Sequence, residues 1–427
     1  MKSRIFTMAL ATFMSASMWF YVQRIQIAYQ VRDAAAHEQP RGNFSDLYPR
    51  WLGARELLLH HRDPYSPELT REIQQGYYGR ALDPNRASDP HDQQAFAYPL
   101  YVVFLLAPFV YMPFHAVQVI AFWGLLVITG ASVLLWLQAF NWRPSGLTIA
   151  TLIILTLGSF PAVQALKLQQ LTLLVAALLA ASFALLRKGR LVLAGVLFAI
   201  STIKPQLVVL PIVWLSFWAS GNLKVRWRML AAFAATMAAL VLSAQFIYPG
   251  WIPRFINALR EYRQYTGGAE TSLDTLLTPL LGRIVAVLLI LIVLTLCWRL
   301  RKSEPGSSSF SLLIALVLSV TITAIPKVAP YNQLLLLPAV LFVAHHWVSW
   351  KSLPPISKMI TAIAAFIFFW PWIASATLMI LSIFLPLDVI LRGWMAPLYT
   401  SLSLPFVAIA LLVSHAISLW RRQTAST

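Results

Sequence analysis

Most of the side chains that could act as an acid or a base lie in one polar stretch, residues 24–97. It contains ten of the 15 Asp and Glu residues, and nine of the 33 Lys and Arg residues, of a chain that is otherwise strongly apolar. Carboxylates gathered in one polar segment predict that acid–base chemistry takes place there. The ten are Asp33, Glu38, Asp46, Glu56, Asp63, Glu68, Glu72, Asp83, Asp89 and Asp92.

Three lysines interrupt apolar runs instead of joining basic clusters: Lys167, Lys204 and Lys327. Lys204 precedes Pro205, which lacks a backbone donor and breaks the helix within the apolar run Leu191–Ala219. A charge at such a break is costly unless it meets water, a protein partner or an anionic ligand. Two interpretations stay open: each lysine extends to the membrane interface, or the lysines bind a lipid phosphate at the outer membrane face.

Metal and disulfide chemistry have little support in the sequence. A single cysteine, Cys297, excludes an intramolecular disulfide and a cysteine metal cluster. Histidines close to acids, such as His60 and His91, lack the H-x-x-x-H spacing of a helical metal site. We therefore predict no metal and no cofactor.

The elements that position these residues must be membrane helices. A hydrophobic content of 59%, 11% charged residues and a mean hydropathy of +0.70 exclude an ordinary soluble domain. Many apolar runs approach the roughly 20 residues of a helical span, which predicts an all-α polytopic membrane protein with about 11–13 transmembrane segments. The first run, Phe6–Tyr21, has no clear small-residue cleavage site, so we expect an uncleaved anchor.

Short basic loops predict the topology. Clusters at Arg187–Arg190, Lys224–Arg228 and Arg299–Lys302 are typical of cytoplasmic loops, which places residues 24–97 on the outer side. They also account for much of the net charge of +18 without a nucleic-acid-binding face. The predicted organisation is an anchor (1–23), an extracytoplasmic loop (24–97), a transmembrane core with the Lys-Pro break (98–248), a second outer loop (249–279) and C-terminal transmembrane helices (280–427).

The loop 24–97 has its own helical signals. Leu47, Trp51, Ala54 and Leu58 form an apolar stripe at helical spacing, and Asp46 stands where an acid would cap that helix. Ser66-Pro67-Glu68 is a second helix start. We expect two short amphipathic helices on the membrane surface, followed by turns and flexible loop over residues 80–94.

Several short motifs, in this order, resemble the GT-C glycosyltransferases that use polyprenyl-phosphate sugars, and in particular glycosyltransferase family 87. An acid after the first membrane helix precedes a short helix, an Asp-Pro-Tyr turn, an aromatic-Tyr-Pro element and a Gly-x-x-x-Ala-x-x-x-x-Lys-Pro element. The matching segments are Phe44–Tyr48, Ala54–Leu58, Asp63–Tyr65, Phe96–Leu100 and Gly195–Pro205. Two departures are Leu100, where the family often has a second proline, and Gln169–Thr172, which matches a Gly-Gln-x-Asn turn only in part.

The resemblance implies a GT-C-type bundle and a direct, inverting displacement at an anomeric carbon. A hexose such as mannose would move from polyprenyl phosphate to a lipid or glycan acceptor at the outer face of a bacterial plasma membrane. Asp46 matches the position of the general base, with a helix cap as the alternative role. The implied phosphate-binding residues are Lys204, Lys327, Lys167 and Arg55. The implied substrate-binding residues are Tyr48, Trp51, Arg62, Tyr65, Tyr98, Gln170 and Gln206.

Two other functions remain open at this level. A transporter or flippase of lipid-linked sugars would use the lysines to guide the phosphate without breaking a bond. Its weakness is that only Asp388 and His415 could relay protons in the later membrane segments, and that glycine is scarce. A non-catalytic partner in envelope glycan assembly is the second alternative.

Overall fold

The computed structural model describes residues 2–40, 42, 45–83, 85, 86, 88–266, 271–325, 329–346 and 355–425, and the regular secondary structure in these ranges is helical. No strand occurs in these ranges. The α-helices are α1 (Lys2–Phe20), α2 (Ile27–Ala36), α3 (Tyr48–His60), α4 (Pro67–Tyr78), α5 (Val102–Leu106), α6 (Phe114–Ala139), α7 (Gly146–Leu157), α8 (Phe160–Lys167), α9 (Thr172–Arg187), α10 (Leu191–Ile200), α11 (Val209–Ser220), α12 (Leu223–Ile247), α13 (Trp251–Tyr265), α14 (Ser272–Leu276), α15 (Pro279–Arg299), α16 (Ser308–Ala324), α17 (Leu337–His346), α18 (Pro355–Leu381), α19 (Leu387–Arg392) and α20 (Leu404–Ala425).

Six stretches of the described chain are long and apolar enough to cross a membrane: Ile5–Ala36, Phe114–Ala139, Leu223–Ile247, Pro279–Arg299, Pro355–Leu381 and Leu387–Ala416. Helices α7 and α8, bent by 57°, would together form a seventh, and α9, α10, α11 and α16 are shorter apolar helices. The protein is therefore an all-α polytopic membrane protein, as its composition predicts. The expected total of about 11–13 segments stays a prediction.

The first helix is longer than predicted. Instead of ending near residue 23, it continues through a π-helical segment, Tyr21–Gln26, to Ala36. Polar residues such as Gln23 lower the hydropathy but do not break a helix, and Gln26 is buried against the rest of the bundle. The helix therefore extends about four turns beyond the point at which the hydropathy falls.

The two short helices predicted in the polar segment are present as α3 and α4. The Oγ of Ser66 accepts a hydrogen bond from the backbone N–H of Leu69 at 3.2 Å, which caps α4 as expected. The stripe residues Leu47, Trp51 and Ala54 are buried in the main hydrophobic core. Helix α3 is thus packed into the protein through its apolar stripe.

The segment that follows α4 is held in place, which differs from the expected flexible loop. Arg80 and Asp89 form an ion pair, and the Asp89 carboxylate also accepts a hydrogen bond from the Asp83 backbone N–H at 2.7 Å. The Gln74 side chain accepts from the Leu82 N–H at 3.0 Å. Polar side chains here replace the backbone pairing of a regular element.

The predicted membrane segment 98–112 contains only α5 and the 3₁₀ turn Ala107–Phe109. Five helical residues rise about 8 Å, far less than the roughly 30 Å hydrocarbon layer, so this segment does not cross the membrane as a helix. It packs instead beneath α3 in the main core.

Lys204 lies between two short 3₁₀ segments, Ser201–Ile203 and Pro205–Leu207, that join α10 to α11. Helix α10 approaches α12 closely at Gly195, where an added Cβ would lie 2.4 Å from the Met229 carbonyl oxygen. Only glycine permits this approach. The Gly-x-x-x-Ala part of the motif therefore packs α10, and the Lys-Pro part ends it.

Helix α13, which follows α12, contacts the polar segment 24–97. Arg254 on α13 forms an ion pair with Asp63, which lies in the turn between α3 and α4. Tyr262, also on α13, donates a hydrogen bond to Asp92 Oδ1 at 3.0 Å. Helix α13 is therefore fixed over the polar segment at two points.

Candidate active site

Asp46 is held directly before α3 and is half-buried. Its backbone N–H donates to the Leu168 carbonyl at 3.0 Å, which ties this segment to the α8–α9 turn. Its side chain does not cap α3, because the N-cap residue is Leu47 and no side chain fills the capping role. The carboxylate instead accepts hydrogen bonds from the Gln170 amide and, at 3.5 Å, from the Tyr77 hydroxyl.

Gln170 connects Asp46 to Lys204. Its Nε2 donates to Asp46 Oδ2, and its Oε1 accepts from Lys204 Nζ at 2.8 Å. Lys204 Nζ also donates to Thr172 Oγ1 at 2.8 Å. Lys204 is 4% exposed, so its charge is held inside the protein and does not extend to the membrane interface.

A second cation, Arg50, also lies close to Asp46. Arg50 is the third residue of α3, and its Nη1 donates to the Asp46 carbonyl oxygen. Its guanidinium carbon lies 4.4 Å from the centre of the Tyr98 ring, a cation–π contact. Arg50 was not among the predicted site residues. The Asp-x-x-x-Arg spacing was an available signal, because residues four apart share a face near a helix start.

A second carboxylate, Asp92, lies near the first. Its Oδ1 accepts from Tyr262, its Oδ2 accepts from Gln94 Nε2 at 2.9 Å, and its carbonyl accepts from Tyr78 at 2.8 Å. Sequence analysis assigned Asp92 no role beyond its place among the ten carboxylates of the polar segment. The structure places it among tyrosines, where its negative charge acts on Asp46.

The electrostatics of Asp46 suit a base. Burial raises the pKa of the Asp46 carboxyl, and the Asp92 charge adds to this effect. Arg50, the Gln170 hydrogen bond and Lys204 oppose the rise only in part. A carboxylate with a raised pKa binds a proton more readily than an ordinary aspartate, while its cationic neighbours keep an ionised form accessible.

The structure brings together four of the predicted site residues: Asp46, Tyr98, Gln170 and Lys204. It adds Arg50, Thr172, Tyr331 and Asn332: the Tyr331 ring lies 5.2 Å from Lys204 Nζ, and Asn332 Oδ1 is 2.8 Å from Thr172 Oγ1. Tyr331 and Asn332 follow the Pro-Lys break at residues 326–327, which was the available signal. Lys327 itself lies outside the described residues.

The other predicted cations and one amide lie elsewhere. Lys167 donates to Gln23 and lies 5.6 Å from the Trp19 ring. Arg55 lies over the Trp51 ring at 5.4 Å. The two remaining residues are Arg62, which pairs with Glu56 and Glu72, and Gln206, which is exposed.

Three predicted substrate-binding aromatics belong to the packing around the polar segment 24–97. Trp51 is buried, and its indole N–H donates to the Phe109 carbonyl at 3.1 Å. The Tyr48 ring packs edge-on against Phe114. Tyr65 donates to the Tyr98 carbonyl at 2.8 Å, so it supports a site residue from behind.

Comparison with known proteins assigns the family. The sequence model of glycosyltransferase family 87 matches residues 96–326, more than half of the chain. The chain belongs to glycosyltransferase family 87. It is therefore a membrane glycosyltransferase. No curated protein and no solved structure matches the chain.

The family match includes Tyr98, Gln170 and Lys204 but not Asp46 or Arg50. It is the geometry that joins the two parts of this glycosyltransferase. Asp46 reaches the matched region through its backbone bond to Leu168 and its side-chain bond to Gln170. The polar segment therefore contributes its carboxylate to a site whose lysine comes from the matched region.

Proposed function

We propose that this glycosyltransferase transfers a hexose such as mannose from a polyprenyl-phosphate donor to a hydroxyl of a lipid or glycan acceptor, with inversion of the anomeric carbon. One observation carries the proposal: a carboxylate with a raised pKa lies beside two cations, Lys204 and Arg50, at the edge of a membrane bundle. A direct displacement needs both, a base for the acceptor hydroxyl and positive charge for the departing phosphate.

Asp46 is the proposed base. The acceptor oxygen attacks the anomeric carbon as its proton passes to Asp46, and the bond from that carbon to the phosphate oxygen breaks. The lipid phosphate leaves with the bonding electron pair and needs no proton from a general acid. The proposed reaction therefore requires neither metal nor cofactor, and its fold would be a GT-C-type bundle.

The transfer reaction and its stereochemistry test this function. Purified protein in lipid nanodiscs, given a β-linked polyprenyl-phosphate hexose and a lipid acceptor, is expected to form an α-linked product, identified by NMR of the anomeric proton. A one-step displacement inverts this centre. A product that retains the donor configuration would contradict the mechanism, and absence of transfer across a panel of hexose donors would contradict the function.

We further propose that the site faces the outside of a bacterial plasma membrane. Thr172 begins α9 at the site and Arg187 ends it, about 24 Å away. At that far end Arg187 bonds to Asn141, and Arg226 bonds to the carbonyl of Arg301. These basic turns gather opposite the site, as cytoplasmic loops would.

Cysteine labelling tests the orientation. In a Cys297→Ala background, Glu68→Cys on α4 is expected to react with a membrane-impermeant maleimide in spheroplasts, because Glu68 is exposed on the site side. Lys224→Cys, exposed on the basic side, is the matched control and is expected to react only after permeabilisation. The reverse pattern would contradict the proposed side.

A further inference from the structure

The two cations beside Asp46 use their hydrogen-bond donors differently. An ammonium group has three N–H donors. Lys204 Nζ donates to two buried side-chain oxygens, Gln170 Oε1 and Thr172 Oγ1, both at 2.8 Å. Lys204 is 4% exposed, and its Nζ also lies 5.2 Å from the centre of the Tyr331 ring. A phosphate oxygen would have to enter this buried set of contacts to bind Lys204 directly.

Arg50 has more hydrogen-bond donors than its contacts with the described residues use. A guanidinium carries five N–H groups in one plane. Within the described part of the chain, one of its nitrogens, Nη1, has a hydrogen-bond acceptor, the Asp46 carbonyl oxygen. Its Nε is buried without an acceptor there, which is costly for a polar group in the absence of a ligand. The side chain as a whole is only half-buried, so part of it borders open space.

The chemistry of the leaving group fits this guanidinium. A sugar phosphodiester carries one negative charge. The phosphate monoester that departs carries a total of between one and two negative charges near neutral pH. A planar guanidinium can bind two phosphate oxygens at once, which an ammonium cannot do. Arg50 is held by Tyr98 and the Asp46 carbonyl, so little flexibility is lost when it binds.

We propose that Arg50 binds the oxygens of the departing lipid phosphate and that Lys204 is a positioning residue. Lys204 orients the Gln170 amide, and Gln170 orients the Asp46 carboxylate. The inference rests on the proposed function and assigns a different role in it to each of the two cations. In the transfer step, the charge that appears on the phosphate oxygen as the glycosidic bond breaks is stabilised by Arg50.

Binding of polyprenyl phosphate, the sugar-free product, tests this division. Arg50→Gln is expected to weaken its binding by about 10–100-fold, as loss of charge-assisted hydrogen bonds predicts. Arg50→Lys, which keeps the charge but loses the planar fork, is expected to recover only part of the affinity. Lys204→Met is expected to change it by about threefold at most, since its bonds are internal. Arg71→Gln, an exposed arginine on α4, is the matched control.

The outcomes separate the two proposals. Wild-type protein that neither binds polyprenyl phosphate nor transfers sugar would overturn the proposed function. If the wild-type protein is active, but Arg50→Gln binds polyprenyl phosphate tightly and Lys204→Met binds it weakly, the division of roles would be overturned. The proposed function would stand. If Arg50→Gln does not fold, as judged by size-exclusion chromatography, wild-type affinity in Arg50→Lys would overturn it equally.

Discussion

Asp46→Asn is expected to lower kcat by about 10²–10⁴-fold, the usual contribution of a general base. Asparagine has nearly the same shape and can still accept a hydrogen bond from Gln170, but it cannot take a proton from the acceptor hydroxyl. Because Asp46 does not cap α3, the substitution should leave the fold intact. The measurement is kcat for hexose transfer at saturating donor, with polyprenyl phosphate affinity as the check that the site remains assembled.

The pH dependence of the wild-type reaction is a second test of Asp46 as the general base. The active form of Asp46 is ionised, so kcat/KM should rise with pH through the pKa of this group. Since burial raises that pKa, the acid limb should lie above the value of about 3.9 for a free aspartate. Arg50→Gln removes a cation that lowers the pKa, so it should move the limb to still higher pH. Asp46→Asn should abolish the limb.

Glu68→Gln is the matched control, since Glu68 is an exposed carboxylate of the same polar segment. It should leave both kcat and the pH profile unchanged. Wild-type kcat in Asp46→Asn would show that the carboxylate is not the base. A loss of activity accompanied by aggregation or by loss of lipid phosphate binding would assign Asp46 a structural role instead.

Much of the fold follows from the sequence because a membrane helix needs a long apolar run. Apolar stretches identify the long spans, and the Ser66-Pro67 start identifies α4. The predicted helix boundaries are wrong where the hydropathy of a segment does not match its tendency to form a helix. Gln23 and Gln26 end the apolar run but not the helix, and apolar residues 98–112 form a packed turn with only five α-helical residues.

The sequence identifies the site residues that interrupt a local pattern. It does not show how these residues are connected in space. Asp46 and Lys204 stand out as an acid after the first membrane helix and a lysine within an apolar run. Nothing in the order of residues shows that Gln170 lies between them. Aromatic character alone also misplaced Trp51, since hydropathy does not tell whether a ring faces a core or a ligand.

Lys204→Met is expected to lower kcat by about 10²-fold while donor binding changes little. Methionine nearly matches the length of lysine but donates no hydrogen bond, so the Gln170 amide loses the partner that fixes its orientation. Asp46 then loses both a nearby cation and a correctly placed N–H, which raises its pKa and misplaces its oxygens. The acid limb of kcat/KM should therefore move to higher pH, as it should for Arg50→Gln.

A double-mutant cycle distinguishes positioning from a direct role. If Lys204 acts on Asp46 through Gln170, then Gln170→Leu should cost about as much as Lys204→Met, and the double variant should cost little more than either. Two residues that contact the phosphate independently would instead multiply their effects on kcat. Lys224→Met, an exposed lysine at the basic end of α12, is the control for loss of a positive charge. Multiplicative losses in the cycle would place Lys204 on the phosphate itself and remove the positioning role from the Lys204–Gln170–Asp46 chain.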